Sequence, residues 1–150
     1  MHPARFRASW AALLLVLAVV GPASTSAQED FQVVVNSGNP TATLTAKQVS
    51  NLFLKKTTAW PDGLEARPVD LQPLSTTRAR FSTAVHGRPV EAVKRYWQRQ
   101  IFAGRGTPPV ELTSDREVLE FVSEHPGAIG YVAAQTALSE GVSVLSLREE

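Results

Sequence analysis

DLQPLSTTRARF, residues 70–81, is the stretch on which the reading of this chain turns. It leaves a short strand (ARPVDLQP, 66–73), turns at Pro73 and enters Ser75-Thr76-Thr77, where a helix is expected from about Thr76 to Val85. A strand that runs straight into a hydroxyl-rich helix start leaves several backbone N–H groups without carbonyl partners at the strand's end. Ser75 can serve as an ordinary N-cap, its hydroxyl taken by the N–H of Thr77 or Arg78. The same N–H groups can also receive an anion. The residues alone leave both readings open.

Outward from this stretch, short strands and helices alternate. FQVVVN (31–36) is a β-branched run closed by SGNP, which reads as a buried strand and turn. Thr45 and Gln48 form a capping box, with Leu44 and Val49 placed as a hydrophobic staple. Val49, Leu52 and Phe53 then give the stripe of a core-facing helix that is expected to run on to Lys55-Lys56. AWPDG (59–63) is a turn. Gly87 closes the helix of the opening stretch and Pro89 starts the next, which carries Val90, Val93, Trp97 and Ile101 along one face. VELT (110–113) reads as a strand, and SDRE (114–117) as a capping box opening a helix through Val118, Leu119 and Val122. AIGYV (128–132) and VSVLSL (142–147) are strands, with a short helical piece expected in AAQTALSEG between them. The alternation predicts a single α/β domain with a mixed sheet flanked by helices.

Residues 1–27 stand apart. Arg5 and Arg7 precede an apolar run from Trp10 to Val20, broken by Gly21-Pro22 and followed by small residues up to Ala27. That is the layout of a secretory signal peptide cleaved near Ala27, and the run is shorter than the ~20 residues of a membrane span. The expected mature domain is 28–150, periplasmic or secreted, with no membrane span of its own.

Two of the 15 basic residues lie in that leader, which leaves 13 against 14 acidic ones. Such a balance gives no case for nucleic-acid binding. The charges are unevenly spread, however. Residues 78–105 carry Arg78, Arg80, Arg88, Lys94, Arg95, Arg99 and Arg105 against Glu91, whereas the chain from Glu111 onward is mostly acidic. Cysteine is absent, so there is no disulfide, thiolate metal site or thiol nucleophile. His86 and His125 sit beside Gly or Pro at expected helix ends, where histidine serves as a cap partner more often than as a ligand. No G-x-S-x-G, H-E-x-x-H or phosphate-loop pattern is present. The residues therefore predict no enzyme, no metal and no cofactor.

The order of landmarks resembles a known family. VVVNSGNPTATLTAKQVSNLFLKKTTAWPDG is similar to the strand, helix and tryptophan turn in the second domain of periplasmic phosphate-binding proteins, the substrate-binding subunits of phosphate ABC transporters. HPGAIGYVAAQTA resembles that domain's last returning strand. The resemblance implies a periplasmic-binding-protein-like (type II) domain, with the oxyanion loop on DLQPLSTTRARF and Phe81 in register. Ser75 and Thr77 match the family's serine and threonine, and Thr76 stands where the family has glycine. The family's arginine and aspartate fall on Leu71 and Pro73, leaving Arg78 as the nearby cation. The implied ligand set is Ser75, Thr76, Thr77 and Arg78.

The implied function is binding of phosphate or a similar oxyanion in association with phosphate ABC transport, a dimer or envelope partner completing the site. The alternative is an envelope interaction module of the same fold that has lost its ligand, with the basic stretch 78–105 as its contact face and Tyr96 and Trp97 inside it. Phosphate has five heavy atoms, so at about −1.5 kcal/mol each even an ideal site is bounded near micromolar affinity. A half-site open to solvent is expected in roughly the millimolar range.

Overall fold

The computed structural model describes residues 30–150; the expected signal peptide lies outside the described residues. Strands β1 (Phe31–Asn36) and β2 (Thr43–Thr45) precede helix α1 (Ala46–Phe53) and strand β3 (Arg67–Leu71). Helix α2 (Thr76–Phe81) runs on into a π-helical turn (Ser82–His86), followed by α3 (Val90–Phe102), β4 (Val110–Leu112), α4 (Asp115–Glu124), β5 (Ala128–Ala133) and β6 (Val142–Arg148). The strands form one sheet in the order β2-β6-β1-β5-β3-β4. It is mixed: β1 is antiparallel to β5 and β6, while β2–β6, β3–β5 and β3–β4 are parallel. The predicted α/β class with a mixed, helix-flanked sheet is what the chain adopts.

Alternation along β5 explains how both faces are covered. An added Cβ on Gly130 would meet Val118 Cγ1 at 2.7 Å and Val69 Cγ2 at 3.1 Å, so α4 approaches the sheet over a missing side chain. Tyr131, the next residue, points the other way and stacks on Phe81 at 3.8 Å between ring centroids, with Phe53 also against it. The central strands are consequently buried on both faces, and Val33, Val34 and Val35 are all in the core.

The capping box at Thr45 forms in full: Gln48 N–H donates to Thr45 Oγ1 and Thr45 N–H to Gln48 Oε1. Helix α1 is shorter than expected, however. It ends at Phe53, and Lys55 already adopts a left-handed φ of 52°. Thr43–Thr45 adds a strand that sequence reading missed, paired with β6. AAQTALSEG makes turns and extended chain where a helical piece was expected; Thr136 Oγ1 and Ala133 N–H both donate to Asp115, which ties the segment to α4. Trp97 and Val93 are buried against Leu54, and Tyr96 Oη donates to the Leu54 carbonyl, whereas Ile101 and Phe102 at the end of α3 are exposed. At the foot of α4, Ser114 caps Glu117 N–H as expected, but Glu117 returns its carboxylate to Thr113.

His125 follows α4 with Nδ1 at 2.8 Å from the Phe121 carbonyl, in the cap role expected of it. His86 differs. Its Nδ1 lies 2.8 Å from Ser50 Oγ, and its ring packs edge-on against Phe53 and Phe81. Burial first, then Arg88, Arg78 and Lys56, push its pKa down to about 4. The folded state therefore holds the neutral ring, and the unfolded chain binds the extra proton between about pH 6.5 and 4. Stability from this group is fully present above pH 6.5 and is lost as pH falls through that window, by about 3 kcal/mol at ~1.4 per unit. Urea midpoints measured from pH 7 to 4 should show a shallower acid slope in His86→Gln than in the parent; equal slopes would remove His86 as the cause.

Candidate functional site

The parallel pair β3–β4 ends side by side, with Gln72 N–H donating to the Leu112 carbonyl at 3.0 Å. Ser75 N–H then closes a turn onto the Gln72 carbonyl, leaving Leu74 at the apex with 97% of its surface exposed. Ser75 sits in an extended conformation (φ −64°, ψ 127°), and its Oγ accepts from Arg78 N–H at 3.2 Å. The N-cap reading of Ser75 is thus realised. Ala79 N–H takes the Ser75 carbonyl. Among the described residues no acceptor is paired with the N–H of Thr76 or Thr77, the first two of the helix. Thr76 is exposed and Thr77 half-buried, and both unpaired donors follow the C-terminal end of a strand in a parallel pair.

Arg78 goes elsewhere. Its side chain is buried and turned toward β3 and β4, where the guanidinium lies 3.2 Å from Asp70 Oδ2 and 3.1 Å from Glu111 Oε1. It also donates to the Leu71 carbonyl at 2.6 Å. Tyr131 Oη donates to the other Asp70 oxygen and accepts from Leu71 N–H. Burial pushes the Asp70 carboxyl above its ordinary pKa, with Arg78 and then the Tyr131 hydrogen bond pulling the other way. Burial, with the Asp70 charge behind it, raises the Tyr131 phenol, which stays neutral.

The structure thus brings Ser75, Thr76 and Thr77 together at one exposed helix start and engages Arg78 with two carboxylates and a carbonyl. An arginine–aspartate pair is present, built from Arg78 and Asp70 rather than from positions 71 and 73. Leu71 is buried and contributes its backbone. Asp70, Glu111 and Tyr131 escaped the sequence reading. The one usable signal was an aspartate inside the otherwise apolar strand PVDL, since a carboxylate there needs a partner. Nothing in the spacing identifies Arg78, Tyr131 and Glu111 as those partners.

Elsewhere, Ser50 and His86 form a hydroxyl–imidazole pair, but among the described residues no carboxylate is bonded to that ring. No group of three His, Cys, Asp or Glu among the described residues could hold a metal ion. No described helix is long and apolar enough to cross a membrane.

The two landmarks that flank the site in sequence meet in space. Trp60 Nε1 donates to the Gly127 carbonyl at 2.9 Å, and Arg67 N–H donates to the same oxygen. The tryptophan turn and the Pro126-Gly127 corner together fix where β3 begins, and hence where it delivers Ser75.

The chain matches no established family profile and no curated protein. Among solved structures it is similar to a substrate-binding protein of a putative phosphate ABC transporter from Clostridium perfringens, described with bound phosphate (18% identity, TM-score 0.62). It is also similar to an ABC-type phosphate transport receptor from Vibrio cholerae (16%, 0.56) and to PstS from Borrelia burgdorferi (15%, 0.55). Each match covers 79% of this chain but only 44%, 46% and 47% of the respective relative, so the chain spans a little under half their length. The fold is that of a periplasmic-binding-protein-like domain as found in phosphate-transport substrate-binding proteins.

Proposed function

We propose that this protein binds phosphate or a similar tetrahedral oxyanion, weakly, at the helix start formed by Ser75, Thr76 and Thr77, as an exported component of phosphate ABC transport. The observation that carries the reading is the pair of unpaired N–H groups at Thr76 and Thr77, placed at the end of a parallel strand on a fold shared with phosphate receptors. Two amides and the Thr77 hydroxyl supply directed donors, and the helix end adds about 0.3–1 kcal/mol where solvent reaches it. Arg78 supports the site by holding the first turn of α2 to β3; its charge is already matched by Asp70 and Glu111. The protein performs no chemistry on the anion in this reading. Tight retention requires further donors from a second copy or an envelope partner, and the place of action is the periplasm or the medium.

Thr76→Pro is a selective test. Proline is accommodated at the first helical position, and Ser75 already has the extended geometry that a following proline demands. The substitution removes one donor and little else. Calorimetric titration should show phosphate and sulfate affinity falling about tenfold, as for loss of one charge-assisted bond, with the thermal midpoint nearly unchanged. The Ser75→Ala/Thr77→Ala pair should weaken binding likewise. Unchanged affinity in both variants would move the anion elsewhere, and no heat from the parent at tens of millimolar anion would end the reading.

A further inference from the structure

At the other end of β3, its first residues, the loop after α1 and the segment entering β4 surround a concavity of about 320 Å3. That is at the lower end of the range for small-molecule pockets, about 300–1,000 Å3. Phe121, Pro108 and Val110 give it an apolar side, with the buried Leu52, Val69 and Pro109 beneath. Lys55 and Arg67 also line it, with Thr57, Thr58 and Thr107, while Glu65 is its one carboxylate. Among the described residues no carboxylate forms an ion pair with Lys55 or Arg67, and the hydroxyls of the three threonines make no hydrogen bond. Unpaired cations beside a concavity of mixed polar and apolar lining differ from the other basic residues near a cavity: Arg78 and Lys94 both have carboxylate partners.

We infer that this concavity is a second ligand site, for a small amphipathic acid: a compact apolar body bearing one carboxylate or phosphate group. The body rests on Phe121, Pro108 and Val110. The head group lies toward Lys55 and Arg67, with threonine hydroxyls to complete its hydrogen bonds. A cationic ligand would meet two like charges against Glu65 alone, and a neutral one would leave both cations unused. Inorganic phosphate has no body to fill the walls, so this ligand class differs from that of the helix start at Ser75, and the inference stands whether or not that helix start binds an anion.

Four probes of one size separate the alternatives: benzoate, phenyl phosphate, benzyl alcohol and benzylamine, titrated into the 15N-labelled full chain. The expected result is that the better of the two acids binds at least about tenfold tighter than the alcohol or the amine. Its amide shifts should concentrate at residues 55–58, 65–67, Val69, Thr107 and Val110. Lys55 and Arg67 are both exposed, so Lys55→Gln/Arg67→Gln should keep the parent's thermal midpoint, lose that preference and leave the alcohol's affinity unchanged. Equal affinity for all four probes would overturn the assignment. So would acid binding unaffected by the double variant, or shifts confined to Ser75–Thr77.

Discussion

Replacing Arg78 with methionine should lower the unfolding free energy by about 3–5 kcal/mol, the usual cost of removing one partner from a buried ion pair. The side chain is buried, and its removal strands Asp70, whose carboxyl is buried, and takes a hydrogen bond from the Leu71 carbonyl. Asp70 already has a raised pKa, and loss of the guanidinium, its main counterweight, raises it further. A folded pKa above the unfolded value contributes stability that is full below pH 3.8 and lost as pH rises through the folded value. The deficit of Arg78→Met relative to the parent should therefore be largest near pH 7.5 and shrink toward pH 4.5, where Asp70 can neutralise. Urea unfolding at the two pH values checks this. A loss below about 1 kcal/mol at both would mean that the network contributes little to folding.

Gly127→Ala should be of similar size. A Cβ there would lie 1.9 Å from the Glu65 carbonyl oxygen and 3.1 Å from its carbon, both backbone atoms that cannot rotate away. Relief requires the strand entry at Glu65–Arg67 to part from the corner, which breaks the hydrogen bonds from Trp60 Nε1 and Arg67 N–H to the Gly127 carbonyl. Two hydrogen bonds at about 1 kcal/mol each and an overpacking cost of about 1–3 sum to roughly 4 kcal/mol. Calorimetric unfolding measures it, and quenched or shifted Trp60 fluorescence should accompany the loss. A variant as stable as the parent would show that the corner is loosely held.

How much of this was legible in the sequence follows from how local the causes are. The capping box at Thr45, the αL stop at Gly87 and the Ser75 cap are set by residues within four positions of each other, and they formed as the sequence implied. The sheet's mixed class was also readable, because β-branched runs alternate with helix caps. Strand Thr43–Thr45 was not, since three residues carry no period and the strand exists through pairing with β6 about a hundred residues away. The stretch after Ala133 lost its expected helix to Asp115, which captures Ala133 N–H and Thr136 Oγ1 from another element. The same contrast holds at the site. Ser75, Thr76 and Thr77 are neighbours and could be found together; the fate of Arg78 depended on Asp70, Glu111 and Tyr131, which only the fold assembles.

That fate reshapes the functional argument. With Arg78 matched by two carboxylates, an anion at the helix start relies on backbone donors and hydroxyls, so affinity in roughly the millimolar range is what this chain should show by itself. The most direct measurement is an amide-resolved titration of the protein with inorganic phosphate. The Thr76 and Thr77 N–H resonances should move furthest, saturating in roughly the millimolar range, with Leu71 and Tyr131 nearly still. Movement of neither amide at tens of millimolar phosphate, or larger shifts elsewhere in the domain, would contradict it.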